Sequence, residues 1–296
     1  MNPPIAWDDQ RVFLAVLEGG SLSAAARRLG LAQPTVRARL EALEQALGTV
    51  LFTRSAQGLL PTERARGLGD HVRAMAHASD AFVRAASAPA GEVAGAVRIA
   101  ASEFVGVEVL PPMLARLRAR HPDLAIELAL SNATANLAEQ EADVAVRMHP
   151  PSQDTVVARK VGAVALGFFA HRDYVARRGR PEAPADLAAH DVIGPDRAPF
   201  DLRLAEAALP APALARFVVR TDSHPAQLAA ARAGLGVAVV QRPVGLADPH
   251  LVHLLPDLVV ATLPLWVVTH RDLRAVPRVR ATLDHLAGEL ARYADG

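Results

Sequence analysis

The chain has 296 residues, 51% of them apolar and 21% charged, with 32 basic side chains against 31 acidic ones. That is enough apolar material for two domains, and it excludes both a disordered chain and a protein that is basic all over, so any nucleic-acid contact must come from a local patch. Cysteine is absent and aromatics are only 4%, which excludes disulfide scaffolds, thiolate zinc sites and cysteine nucleophiles and disfavours a stacking groove for single strands.

The first part of the chain reads as short helices. Val12, Phe13, Val16 and Leu17 share one face of a helix over Trp7 to Glu18, which Gly19-Gly20 stops. Ser21 stands where an N-cap belongs, ahead of a helix over Leu22 to Leu29 with Leu22, Ala25, Ala26 and Leu29 on one side and Arg27 and Arg28 facing out. Gly30-Leu31-Ala32 turns the chain into a third helix, opened by Gln33-Pro34-Thr35 and lined by Val36, Leu40, Leu43 and Leu47 up to Gly48. Val50 to Arg54 and Gly58 to Pro61, with the turn Ser55-Ala56-Gln57 between them, form a hairpin or wing.

Thr62 is the next N-cap candidate, before a proline-free stretch from Glu63 to Ala86. There Leu68, Val72, Met75, Ser79, Phe82 and Ala86 recur at a period of about 3.5, the seam of helices that pair along their length. A helix of 24 residues is about 36 Å long. So small a head cannot cover it, which favours self-association over a lone amphipathic helix.

Ser87-Ala88-Pro89-Ala90-Gly91 is a linker by composition, and beyond it strands and helices alternate. Strands are predicted at Val97 to Ala101, Leu124 to Leu130 and Asp143 to Arg147, and helices at Leu110 to Arg120 and Leu137 to Glu141. Such alternation predicts a parallel sheet wrapped by helices. Val161 to Ala170 is a further apolar run, followed by a proline-punctuated stretch from Pro181 to Pro212. Then come a strand at Phe217 to Thr221, a helix at Pro225 to Ala233, strands at Gly236 to Val240 and Leu263 to Thr269, and a closing helix at Val276 to Tyr293. The longest uncharged stretch, Leu258 to Thr269, is 12 residues and too short for a membrane span. The first ten residues hold Asp8 and Asp9 and no basic residue. That is unlike a signal peptide, so a cytoplasmic location is expected.

Helix, glycine turn and helix, with polar residues opening the second helix, is a geometry that enters DNA. A major groove about 12 Å wide admits one helix by its N-terminal side chains. Here those are Gln33, Pro34, Thr35 and Arg37. Gln bonds adenine bidentately, Thr meets a thymine methyl, and Arg reads guanine or grips phosphate. Ser23 and Arg27 on the preceding helix, Arg39 one turn on and Arg54 in the wing complete the candidate DNA-binding set. Leu22 to Arg54 carries five arginines against two acids, net +3, where the whole chain is +1. Lys160 is the one lysine, so phosphate contacts would be arginine forks. Charge alone fits equally well a helical hairpin that merely carries surface arginines.

Particular residues go further. Phe13-Leu14-Ala15-Val16, then Gly20-Ser21-Leu22-Ser23-Ala24-Ala25-Ala26-Arg27-Arg28-Leu29, then Ala32-Gln33-Pro34-Thr35-Val36, Leu43-Glu44, Leu47-Gly48, Leu51-Phe52-Thr53-Arg54 and Leu60-Pro61-Thr62 follow one another over residues 7–64. This stretch resembles the N-terminal winged helix-turn-helix of LysR-type transcriptional regulators. Residues 91–296 resemble that family's effector-binding domain through Val97-Arg98-Ile99-Ala100-Ala101-Ser102, Leu110-Pro111, His121-Pro122, Ala142 to Arg147 and Gly234 to Ala238. Two positions depart from the family pattern: Ala32, where Ser is common, and Ala38, where Arg is frequent. Each departure removes a possible phosphate or base contact.

The resemblance implies an α+β multidomain fold. Residues 1–61 would be the DNA-binding head, with its helix-turn-helix at 22–41, and 62–88 the linker and dimerisation helix. Residues 91–296 would be a two-subdomain α/β effector domain resembling periplasmic binding proteins, one subdomain being 91–161 with 265–296 and the other 162–264. It further implies a dimer, often assembled into a tetramer, on promoter or operator DNA, with RNA polymerase as a further contact. A small organic effector would lie between the subdomains.

Ligands of such sheets sit at strand carboxyl ends, facing helix N-termini. Three clusters qualify: Ser102, Glu103 and Phe104; Ser131 and Asn132; and Asp222, Ser223 and His224 after Thr221. Many effectors of the family are carboxylates; Glu103 or Asp222 facing the cleft would suit an amine or polyol instead. The same residue types also cap helices without any ligand.

Other readings are weaker. Asp222-Ser223-His224 holds triad residue types, but sequence neighbours rarely converge as a triad, and no G-x-S-x-G elbow exists. Gly234-x-Gly236 follows a helix instead of opening one. The histidines lack metal-ligand spacing, and Arg177-Arg178-Gly179-Arg180 reads as a solvated helix end. No catalytic residue, metal or cofactor is expected. The competing reading is a small-molecule (solute) binding protein without a DNA role, with an enzyme third.

Overall fold

The structure is a computed structural model and describes residues 5–55, 58–86, 91–132, 142–151 and 156–295. The expected helix at 137–141, the turn residues 56–57 and the linker residues 87–90 lie outside the described residues. The described chain falls into two compact units, one up to Ala86 and one holding the remainder.

In the first unit, α1 (Trp7–Gly19), α2 (Leu22–Leu29) and α3 (Gln33–Leu47) each end on a glycine, Gly20, Gly30 or Gly48, with φ of 64–65°. That left-handed conformation suits a residue without a Cβ. Ser21 caps α2, its Oγ accepting the Ala24 N–H at 3.2 Å. The wing is an antiparallel pair, β1 (Phe52–Ser55) and β2 (Gly58–Pro61). It begins two residues later than expected, and the N–H groups of Leu51 and Phe52 at its start go to Glu44. The Leu59 N–H donates to the Gly20 carbonyl at 2.9 Å, and a Cβ on Gly58 would stand 2.7 Å from that oxygen, so the wing lies on the α1–α2 turn. Phe13 and Val16 of α1, Ala25 of α2, Val36 and Leu40 of α3, and Leu51 form the core. Helix α4 (Glu63–Ala86) starts at Thr62, whose Oγ1 accepts the Ala65 N–H at 3.2 Å and donates to the Val50 carbonyl. Ala65 and Val72 join the core, but further along the seam Met75 and Phe82 are 44% and 76% exposed.

The second unit is built on a seven-stranded sheet in the order β10-β6-β11-β5-β3-β4, with β9 also on β6. Its strands are β3 (Gly95–Ala101), β4 (Leu124–Leu130), β5 (Val144–Arg147), β6 (Val156–His171), β9 (Ala238–Gln241), β10 (Leu251–Leu254) and β11 (Ala261–His270). Only β3 with β4 and β5 is parallel; β11 runs antiparallel to β5 and β6, and β6 to β9 and β10. The sheet is therefore mixed, not parallel as the alternation predicts, because the chain runs out along β6 and back along β11. Strand β6 is 16 residues long, well beyond the apolar run that marks it. Within its ladder with β11, Leu265 stands opposite Gly162, and the register shifts between Leu265 and Trp266.

Helix α5 (Leu110–Arg120) is preceded by a π-helical turn at Val105–Val109. Pro111 and Pro112 lack the N–H groups that a regular α-turn would use there. Helix α6 (Arg172–Arg178) follows β6, and the proline-punctuated stretch then holds a short 3-10 helix at Pro184–Ala189, β7 (Val192–Gly194), α7 (Pro199–Ala208) and α8 (Ala211–Leu214). Strand β8 (Phe217–Arg220) lies parallel to β7, and α9 (His224–Arg232), α10 (Arg242–Ala247) and α11 (Pro277–Asp295) follow. Prolines that read as breaks open these helices, where a missing N–H costs nothing. Arg177, Arg178 and Arg180 are exposed at the end of α6, the solvated helix end expected, and there they also donate to the carbonyls of Gly234, Ala189 and His253 at 3.3, 3.0 and 2.9 Å.

Candidate nucleic-acid interface and ligand site

Helix α3 has two unlike sides. Val36 and Leu40 are 0% and 6% exposed in the head core. Gln33, Pro34, Thr35 and Arg37 all lie on the solvent side. Gln33, Pro34, Arg37, Ala38 and Glu41 line one shallow open depression there. Ala32 is the N-cap and offers no side-chain acceptor, so the positive end of the helix dipole is left without a side-chain cap.

The arginines of the head divide by partner. Arg28 is paired with Glu18, and Arg39 lies 3.2 and 3.6 Å from Asp8 and Asp9 in the first turn of α1. Arg27, Arg37 and Arg54 have no acidic partner among the described residues. Ser23 and Arg27 are exposed on α2, and Arg54 is exposed on the first strand of the wing. The spacing that put Arg39 with the others gave no sign of its partners, which come from a helix some 30 residues earlier.

In the second unit, Glu103 brings the three ligand clusters together. Its carboxylate Oε2 accepts from Asn132 Nδ2 at 3.1 Å and from Ser223 Oγ at 3.2 Å, and its N–H donates to Asn132 Oδ1 at 3.1 Å. Ser102 lies half-buried beside it, and the Ser131 N–H extends the β3–β4 ladder by donating to the Ala101 carbonyl. Two of the expected residues serve the scaffold instead. Phe104 is 5% exposed and packs into the core. The Asp222 carboxylate accepts the backbone N–H groups of Asp196, Arg197 and Ala198 at 2.9–3.1 Å, which holds it below the usual carboxylate range.

Asp201 on α7 joins the site without a sequence signal. His224 Nε2 lies 3.0 Å from its carboxylate. That hydrogen bond outweighs burial and raises the His224 pKa, with Glu103 and Asp222 adding to it. The site thus combines an imidazole, two hydroxyls, an amide and the carboxylates of Glu103 and Asp201 at one strand-end junction.

Residues 7–66 match the model described as "Bacterial regulatory helix-turn-helix protein, lysR family", and residues 90–291 match the "LysR substrate binding domain". An HTH-type transcriptional regulator of Xanthomonas campestris pv. campestris (strain 8004) is 30% identical over 186 residues, 63% of this chain and 54% of that relative. The chain therefore spans little more than half that relative's length. The full-length Vibrio cholerae virulence activator AphB superposes with a TM-score of 0.63 at 22% identity, covering 96% of this chain and 99% of that one. Full-length CbnR complexed with its target DNA gives a TM-score of 0.66 at 20% identity, over 96% and 99% of the two chains. At those identities the two structures speak to the fold alone.

Proposed function

The chain belongs to the LysR family, and on that premise we propose that it is a sequence-specific double-stranded DNA-binding transcriptional regulator whose activity is modulated by a small-molecule effector. One observation carries this reading. Arg27 on α2, Arg37 on α3 and Arg54 in the wing are exposed without an acidic partner among the described residues, while Arg28 and Arg39 are neutralised. Cations left without partners on a groove-sized helix are an electrostatic footprint for phosphate. In this reading Gln33, Thr35 and Arg37 meet bases; Ser23, Pro34, Arg27 and Arg54 face the backbone; Arg39 contributes least.

The proposed organisation is a head at 1–61, a pairing helix at 62–88, and an effector unit whose halves are 91–161 with 265–296, and 162–264. The facing pair Gly162 and Leu265, at a register shift in the ladder that joins β6 to β11, supports those limits. Exposed Met75, Phe82 and Val83 on α4 support a dimer, with a tetramer as further assembly. Glu103 at the junction favours an effector that donates to a carboxylate, an amine or a polyol, over a carboxylate. Contact with RNA polymerase and a cytoplasmic location follow from the proposed role; catalysis is no part of it. No described helix is long and apolar enough to cross a membrane. The solute-binding alternative leaves residues 7–66 without a task.

The test is footprinting of DNA upstream of the gene. Wild-type protein is expected to protect a discrete site, and the double variant Gln33→Ala, Arg37→Ala is expected to lose it. Protection that is uniform, or that survives in the double variant, contradicts the reading.

A further inference from the structure

Helix α9 is held at both ends by the segment that follows β3. At its start, Ser223 Oγ donates to Glu103 at 3.2 Å. In its last turn, Arg232 Nη1 and Nη2 donate to the two carboxylate oxygens of Glu108 at 3.0 and 2.9 Å, and Arg232 Nε donates to Asp248 at 2.8 Å. Between these ends Leu228 and Ala231 are buried with Phe104, Val105 and Val109. Nine helical residues span about 13 Å. The two polar contacts therefore grip opposite ends of one rod.

These contacts differ in strength and in what they join. Arg232 forks bidentately on a carboxylate that is only 16% exposed, which is stronger than a neutral hydroxyl bond. Glu108 lies in the π-helical turn, a distortion that is rare and concentrates at functional sites. Glu103 and Glu108 lie in the 91–161 half, while Ser223, Arg232 and Asp248 lie in the 162–264 half. The Glu108 fork thus crosses the junction, and the Asp248 bond does not.

We infer that Arg232 is a positioning residue: its fork on Glu108 fixes the far end of α9 and so sets the approach of Ser223 to Glu103. The inference rests on the effector role proposed for that junction. A ligand that parts Ser223 from Glu103 frees one end of α9 while the fork holds the other, so the halves turn about Arg232 instead of separating. It shifts that equilibrium only by binding the two arrangements unequally.

The chain has no cysteine, so Ala119→Cys on α5 and Ala207→Cys on α7, both exposed positions, take a pair of spin labels. Without ligand the labelled parent is expected to give one distance population. Glu108→Gln and Arg232→Met are each expected to add a longer one. Asp248→Asn, which weakens the same arginine's network within one half, is expected to keep the parent distances. Thermal melts establish that each variant folds; if Arg232→Met does not, Arg232→Lys, which loses the fork, is read in its place with the same expectation. Parent distances in the Glu108 and Arg232 variants, or equal opening in Asp248→Asn, overturn the inference. The measurement needs neither DNA nor effector, so its failure leaves the effector reading standing. Loss of ligand response in Ser102→Ala and Ser223→Trp bears on that reading alone.

Discussion

The Glu44 carboxylate on α3 accepts the backbone N–H groups of Leu51 and Phe52 at 2.6 and 3.2 Å. One side chain thereby ties α3, the helix proposed to read bases, to the wing that carries Arg54. Glu44→Ala leaves two backbone donors without that acceptor and is expected to cost roughly 1–3 kcal/mol. Urea unfolding checks this; an unchanged midpoint would show that the wing is held by its other contacts.

Arg37 and Arg54 are expected to fail differently. Arg37→Ala should relax base preference at one position of the site, by about 1–3 kcal/mol of discrimination. Arg54→Ala should weaken all sequences about equally and lower the salt slope by about 1. Arg39→Ala should cost less than either, because its guanidinium already lies on Asp8 and Asp9. Binding to a randomised-site library separates the three, and a reversed order contradicts the assignments.

Phe82 is 76% exposed on α4 and takes no part in the head core. Phe82→Glu is therefore expected to leave the head folded and to halve the mass seen by sedimentation. An unchanged mass would place the self-contact elsewhere.

His224 gives a pH signature. Its pKa is raised in the folded chain, chiefly by the bond to Asp201. A raised value means stability that is fully present below the unfolded value of about 6.5 and is lost as pH rises through the folded one. The melting temperature of wild type should fall across that window, and His224→Gln should flatten the fall. Superimposable profiles contradict the pairing.

Much of this architecture is legible in the residues themselves. Ser21, Gly30, Pro34 and Gly48 are local signals that cap, turn, open and stop helices without tertiary help, and α2 and α3 keep the limits they imply. Strands β3, β4 and β11 are legible as apolar runs, whereas β6 begins five residues ahead of the run that marks it. What was illegible depends on distant partners. Arg39 looks free until α1 brings Asp8 and Asp9 to it, and Asp222 looks like a ligand until the 196–198 backbone turns onto its carboxylate. The mixed sheet was hidden for the same reason: strand direction is set by how the chain crosses and returns, which periodicity does not record. The π-turn before α5 has no periodic signature at all.

The most direct measurement is a salt titration of binding to the upstream duplex and to a scrambled duplex of equal length. The account predicts preference for the upstream sequence, with affinity falling by about 0.9 log units per log unit of salt for each phosphate neutralised. Equal affinity for both duplexes at every salt concentration would contradict it.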